Sequence, residues 1–294
     1  MARPFPHVEG VEHRYVAARG LRFHVAESGP PGAEPVLVLH GWPQHWFMWR
    51  HQIPALARDY RVIVPDLRGF GWSDAPPDGY EKENMATDVL ALMDELGLRR
   101  VRLIGHDWGG WIGFILCVRA PERFSRYLAL NIPHLWGKVD LKTLAGIWRF
   151  WYQWVMATPG LGPYVVEKRD FVGRILRGSA PAGTWSDEEL AAFTDPLREP
   201  ARTRATVQLY RSFLLREFGP VAAGRYRAKR LTVPTYLLFG ADDFAISKAF
   251  LEGDTSRFAD DLTIELVPGT GHFIAEEQPG LVTRKALDFL SDAA

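Results

Sequence analysis

The chain of 294 residues has a single cysteine, Cys117. One thiol excludes an intrachain disulfide and any zinc site built on paired cysteines. It lies in the apolar run Trp111-Ile112-Gly113-Phe114-Ile115-Leu116-Cys117-Val118, so it reads as a buried structural thiol. Net charge is also missing, because 35 Lys and Arg balance 35 Asp and Glu. No overall field is left to attract nucleic acid or an anionic membrane surface. No apolar run is long enough to span a bilayer, and the opening Met1-Ala2-Arg3-Pro4-Phe5-Pro6 lacks the apolar stretch of a signal peptide. The expectation is a cytoplasmic protein with neither nucleic acid nor membrane as partner. Internal repeats and low-complexity segments are absent too.

What is present is a globular composition, 47% hydrophobic and 24% charged, which supports a sizeable core. The length suits one large domain or a core with an inserted lid. Short apolar runs at 36–39, 61–64, 101–104 and 127–132, each followed closely by Gly or Pro, read as buried parallel strands. Between them, Met85, Val89, Leu92, Met93 and Leu96 recur at helical spacing over 83–96, with Gly97 placed as a C-terminal cap. Strands alternating with helices predict an α/β fold on a doubly wound, mostly parallel sheet. From His134 to Tyr226 only helical or irregular sequence follows, broken at Pro159-Gly160, Gly162-Pro163, Pro181 and Pro200. Strands return at 235–239 and 262–267, before a last helix near 281–290. The predicted organisation is a core of 1–133 and 227–294 with a helical cap of 134–226.

Ile104-Gly105-His106-Asp107-Trp108-Gly109-Gly110 joins an apolar strand to an apolar helix, the context of a nucleophile elbow. Serine, the usual residue at such a turn, is absent; Asp107 stands there. A serine attacking an alkyl carbon would leave an ether that water cannot readily cleave. A carboxylate leaves an ester, which water cleaves at its carbonyl. Asp107 therefore points to alkyl transfer and against an ordinary esterase. Upstream, Leu39-His40-Gly41-Trp42-Pro43 ends a strand where this architecture supplies an oxyanion-hole N–H, so Trp42 and Trp108 are the expected donors. Phe239-Gly240-Ala241-Asp242-Asp243-Phe244 and Pro268-Gly269-Thr270-Gly271-His272-Phe273 end later strands and complete the order nucleophile, acid, histidine. His272 is the expected base toward water. Asp243, deeper in its loop than Asp242, is the expected orienting acid. His40 and His106 read as structural.

These segments together resemble the epoxide hydrolase family of the α/β-hydrolase fold, over about residues 20 to 290. His40-Gly41-Trp42-Pro43 resembles the family's oxyanion segment, in which the bond before the proline is often cis. The resemblance extends to two lid tyrosines. Trp151-Tyr152-Gln153, followed by Thr158-Pro159-Gly160, resembles the segment around the first, and Leu209-Tyr210-Arg211 that around the second. It implies that Tyr152 and Tyr210 open the ring. A phenol with a pKa of about 10 stays protonated at neutral pH and can protonate the poor alkoxide leaving group. Tyr164 and Tyr226 read as lid residues with hydroxyls in water. Trp148, Phe150, Trp151 and Trp154 read mostly as lid-to-core packing, with one or two on the pocket wall, which would favour apolar or aryl epoxides. The implied partners are a small apolar epoxide and water, with no cofactor and no metal.

Two rivals stand beside this reading. A haloalkane dehalogenase would share Asp107, Asp243 and His272 but leave the tyrosines unexplained, and Trp42 stands where many dehalogenases carry a donor such as Asn. Fluoroacetate-type dehalogenases usually have Arg in place of Trp108. A non-catalytic homologue binding an apolar ligand would need none of the three triad residues.

Overall fold

A computed structural model describes residues 3–137 and 147–291. Met1 and Ala2 of the opening stretch, 138–146 of the expected cap and 292–294 of the expected core lie outside the described residues. Eight strands form one sheet: β1 (Glu12–Ala18), β2 (Leu21–Ser28), β3 (Glu34–Leu39), β4 (Tyr60–Pro65), β5 (Val101–His106), β6 (Phe124–Leu130), β7 (Thr235–Gly240) and β8 (Leu262–Val267). Their order is β1-β2-β4-β3-β5-β6-β7-β8. Neighbours from β4 to β8 pair in parallel, whereas β2 runs antiparallel to both β1 and β4.

The β1–β2 hairpin was not predicted. Its signal is short and polar: β1 has only Ala18 fully buried, so it lacks the continuous apolar run that marks a central strand. The turn gives it away only in retrospect. Arg19 and Gly20 have φ of 50° and 74°, as a two-residue hairpin loop requires.

The helices in chain order are α1 (Ile53–Leu56), α2 (Lys82–Glu95), α3 (Trp108–Arg119), α4 (Trp151–Ala157), α5 (Leu161–Lys168), α6 (Phe171–Ser179), α7 (Asp187–Thr194), α8 (Pro200–Ser212), α9 (Phe218–Ala222), α10 (Ile274–Glu277) and α11 (Pro279–Ser291). Helix α2 ends as predicted, with Gly97 at φ 68° beyond it. Helix α3 follows the central strand and is buried along its whole length except Arg119. Cys117 is free and fully buried within it.

Apolar side chains fill both faces of the sheet. One layer includes Leu37, Leu103, Ile115 and Phe239 beneath α2 and α3; the other includes Val38, Ile104, Leu128 and Phe273, closed by α11. Each such side chain, once buried, contributes about 1.5–3 kcal/mol. Between β6 and β7 the described elements are all helical, α4 to α9, and form a cap. Two expectations fail within it. Trp148, Trp151 and Trp154 are not packed on the core but are 67%, 51% and 54% exposed. Spaced three apart, they share the outer face while Tyr152, Gln153 and Met156 take the inner one. Tyr226 does not present its hydroxyl to water: it is buried and donates to Glu83 Oε1 at 2.8 Å. Tyr164 is exposed, its hydroxyl accepting from Arg169.

Candidate active site

Asp107 occupies the turn between β5 and α3 with φ 50° and ψ −122°. That strained conformation, of the kind that costs about 1–3 kcal/mol, turns the carboxylate out of the elbow. Small neighbours make the turn possible. A Cβ on Gly109 would come within 2.4 Å of the His40 carbonyl, and one on Gly41 within 2.5 Å of Asp107 Cβ. The approach of Gly41 lets the Trp42 N–H donate to Asp107 Oδ2 at 2.9 Å. The Trp108 N–H is the second backbone donor to this carboxylate. The Trp42–Pro43 bond is cis.

His272 sits in the loop after β8. Its Nδ1 lies 2.8 Å from Asp243 Oδ2, and its Nε2 is 3.9 Å from Asp107 Oδ1. Asp243 is buried, whereas its neighbour Asp242 is exposed. Its Oδ1 accepts the N–H groups of Ala245 and Ile246 at 2.7 and 2.9 Å. Its Oδ2 accepts from Asn131 Nδ2 at 2.9 Å as well as from His272. The two histidines read as structural also have partners. His40 donates from Nδ1 to the Gly41 carbonyl and accepts the Leu67 N–H at Nε2. His106 lies with Nε2 2.8 Å from the His272 carbonyl.

Two contributors escaped the sequence reading. Asn131, at the end of β6 with φ 43°, bridges Asp243 to the Gly271 carbonyl and accepts the Gly240 N–H. Glu277 accepts the N–H groups of Gly271 and Phe273, the two residues flanking His272. Neither had a motif of its own. The signal for Asn131 was a polar residue directly following an apolar strand; for Glu277, a carboxylate five residues after the histidine.

Tyr152 on α4 and Tyr210 on α8 both face the elbow from the cap. They are 6% and 1% exposed, with ring centroids 6.0 Å apart at 82°. Trp42 stacks on Tyr152 at 6.1 Å and meets Tyr210 edge-on at 5.3 Å, and Trp108 meets Tyr210 at 6.1 Å. Below them, an apolar cavity of about 90 Å³ is lined by Asp107, Trp108, Tyr152, Phe150, Phe213 and Ile246, among others. Of the four cap aromatics considered above, Phe150 is the one on its wall.

Burial sets the electrostatics. Burial raises the Asp107 pKa, and the charge of His272 with the Trp108 and Trp42 N–H donors restrains it to about 6. Burial alone would lower that of His272. The charge and hydrogen bond of Asp243, with the charge of Asp107, outweigh it and raise the value to about 9. Burial pushes both phenols up, and the Asp107 charge adds to this, so both stay protonated at neutral pH. Burial lowers His106 to about 3, leaving it neutral. Among the described residues no cluster of His, Cys, Asp and Glu could hold a metal ion, and no helix is long and apolar enough to cross a membrane.

A strained strand-to-helix turn carrying Asp107 after the central strand of a mostly parallel eight-stranded sheet, with Asp243 and His272 in the loops after later strands, is the arrangement of a hydrolase architecture. Residues 34–279 match the family model for the alpha/beta hydrolase fold, and the chain belongs to that family. It is 30% identical over 305 residues to the soluble epoxide hydrolase of Corynebacterium sp. (strain C12), covering 96% of this chain and 98% of that one. It is 28% identical over 293 residues to epoxide hydrolase 4 of Mus musculus, covering 95% and 80%. Among solved structures, the ligand-free epoxide hydrolase CorEH aligns with a TM-score of 0.81 at 29% identity, over 96% of this chain and 99% of that one.

Proposed function

We propose that the protein is an epoxide hydrolase. The observation that carries this reading is the pair of buried phenols, Tyr152 and Tyr210, packed by the cap on Trp42 and Trp108, the residues beside the Asp107 carboxylate. The epoxide hydrolases among its relatives support it. The cap, on this reading, runs over 134–226 between core segments 1–133 and 227–294.

Asp107 attacks one epoxide carbon, a C–O bond forms to its carboxylate, and the ring C–O bond breaks. The departing oxygen takes a proton from Tyr152 or Tyr210. Alkylation removes the Asp107 charge, and with it one of the interactions that raise the His272 pKa. His272 then gives up its proton, which restores the phenol, and becomes a competent base. Its Nε2 takes a proton from water, and the hydroxide adds to the ester carbonyl. The N–H groups of Trp42 and Trp108, already directed at this carboxylate, hold the oxyanion. Collapse expels the diol oxygen, which takes the proton from His272 and leaves Asp107 as the carboxylic acid; that proton then passes to His272, restoring the carboxylate and the imidazolium. Asp243 keeps the ring in the productive tautomer and stabilises its charged form. The partners are a small apolar epoxide, suited to the aromatic cavity wall, and water.

A dehalogenase would leave the two buried phenols without a role. The test is to incubate the protein with an aryl epoxide and, separately, with a chloroalkane and a bromoalkane, assaying diol and halide. Diol that disappears in the Tyr152→Phe/Tyr210→Phe variant supports the proposal. Halide release without diol reassigns the activity to a dehalogenase.

A further inference from the structure

Lys82 is a fully buried cation at the start of α2, outside every motif described above. Its Nζ donates to the Leu209 carbonyl at 2.8 Å and pairs with Glu217 Oε2 at 3.0 Å. The Tyr80 carbonyl and Ser212 Oγ lie at 3.3 and 3.4 Å. Glu217 uses its other oxygen to accept the Lys82 backbone N–H at 2.8 Å, so a cap carboxylate caps a core helix. The ammonium also stands 4.5 Å from the centroid of the Trp108 ring and 5.4 Å from that of Phe213.

Three of these partners adjoin the ring-opening machinery. Leu209 precedes Tyr210, Trp108 follows Asp107, and Phe213 lies on the cavity wall. Glu217 ends a π-helical turn, Phe213–Glu217, that continues α8 just beyond Tyr210. Such turns mark places where a helix has slipped register, often beside a functional site. A buried ion pair is weak evidence of stabilisation, because apolar residues of similar volume often serve as well or better. What the pair supplies here is geometry. It fastens the carbonyl beside Tyr210 and the indole beside Asp107 to a single point.

We infer that Lys82, held by Glu217, is a positioning residue for epoxide ring opening, fixing Tyr210 and Trp108 against Asp107 across the cap–core boundary. The inference rests on the epoxide hydrolase reading and deepens it. Loss of the clamp slows the step that uses the phenols and spares the step that uses His272.

The test measures the two half-reactions separately. Formation of the Asp107 ester is followed by rapid quench and intact mass in a His272→Gln background, with an aryl epoxide as probe. Ester hydrolysis is followed in proteins that retain His272. Lys82→Met leaves Glu217 buried and unpaired, so Lys82→Met/Glu217→Gln is examined beside it, removing both charges while an amide oxygen can still cap α2. The expected result is ester formation slowed about tenfold to a hundredfold in both variants, with hydrolysis unchanged within about twofold. Adding Lys82→Met to Tyr210→Phe should cost little more than Tyr210→Phe alone, since both act through one phenol. Equal slowing of both half-reactions, full additivity with Tyr210→Phe, or normal ester formation in the charge-free variant would overturn the inference while the epoxide reading stands. No ester in the His272→Gln parent would overturn both.

Discussion

His272 Nε2 lies 3.9 Å from Asp107 Oδ1, too far for a hydrogen bond and close enough for each group to set the other's charge. The His272 charge lowers the Asp107 pKa from where burial would put it, to about 6. Replacing His272 by Gln removes that help, so the acid limb of Asp107 alkylation should move upward in pH. The variant should still trap an ester. The check is the pH dependence of adduct mass after a fixed interval; a limb that stays put or moves down would break the electrostatic link between the two residues.

Asp243→Asn should act on the second step. Its charge and hydrogen bond raise the His272 pKa against burial, so their loss should drop that pKa well below about 9. Correct orientation of the ring goes with it. By analogy with the acid of a hydrolytic triad, ester hydrolysis should fall roughly 10³- to 10⁴-fold. An ester that forms and persists, with the imidazole titration followed by NMR, is the expected signature. Rapid turnover would assign the orienting role elsewhere.

The tyrosines make the opposite prediction. Tyr152→Phe and Tyr210→Phe should each slow ester formation, and the double variant should lose about 10²- to 10⁴-fold, the usual worth of a positioned acid. Hydrolysis of an ester already formed should continue. Burst kinetics resolve the two steps, and a double variant that slows only hydrolysis would remove the phenols from the mechanism.

Two glycines separate chemistry from stability. A Cβ at Gly41 meets the Asp107 carboxylate within 2.6 Å. Gly41→Ala should therefore displace the nucleophile and abolish the adduct, with an overpacking cost of about 1–3 kcal/mol in thermal unfolding. Gly97 meets nothing within 4 Å, but its φ of +68° strains any other residue. Gly97→Ala should cost about 1 kcal/mol and leave turnover intact. Equal effects on turnover would mean that Gly41 acts only through folding.

The parts of this architecture that could be read from sequence were those whose chemistry is local. Central strands buried on both faces announce themselves as apolar runs, and Gly97 marks a helix end because few other residues tolerate its conformation. The edge strand β1 was illegible because it is little covered, leaving polar residues such as Glu12 and Arg14 interspersed. Asp243 was expected ahead of Asp242 from its place in the loop, and it is Asp243 that lies 2.8 Å from His272 Nδ1. Asn131 and Glu277 could not be found, since their value lies in contacts with Asp243 and with the chain around His272 that only the folded protein creates. The outward tryptophans misled for a related reason. A run rich in aromatics implies burial, yet the helical period gave the inner face to Tyr152 and Met156.

Asp107 comes from the sheet, whereas Tyr152 and Tyr210 come from helices inserted between β6 and β7. On the proposed mechanism, a molecule with its cap lifted would hold a nucleophile without an acid. It could meet an epoxide and still not open it. On that mechanism the division would act as an interlock: reactivity toward electrophiles would switch on only with substrate enclosed, and the helices that complete the chemistry of Asp107 would also guard it against chance alkylation.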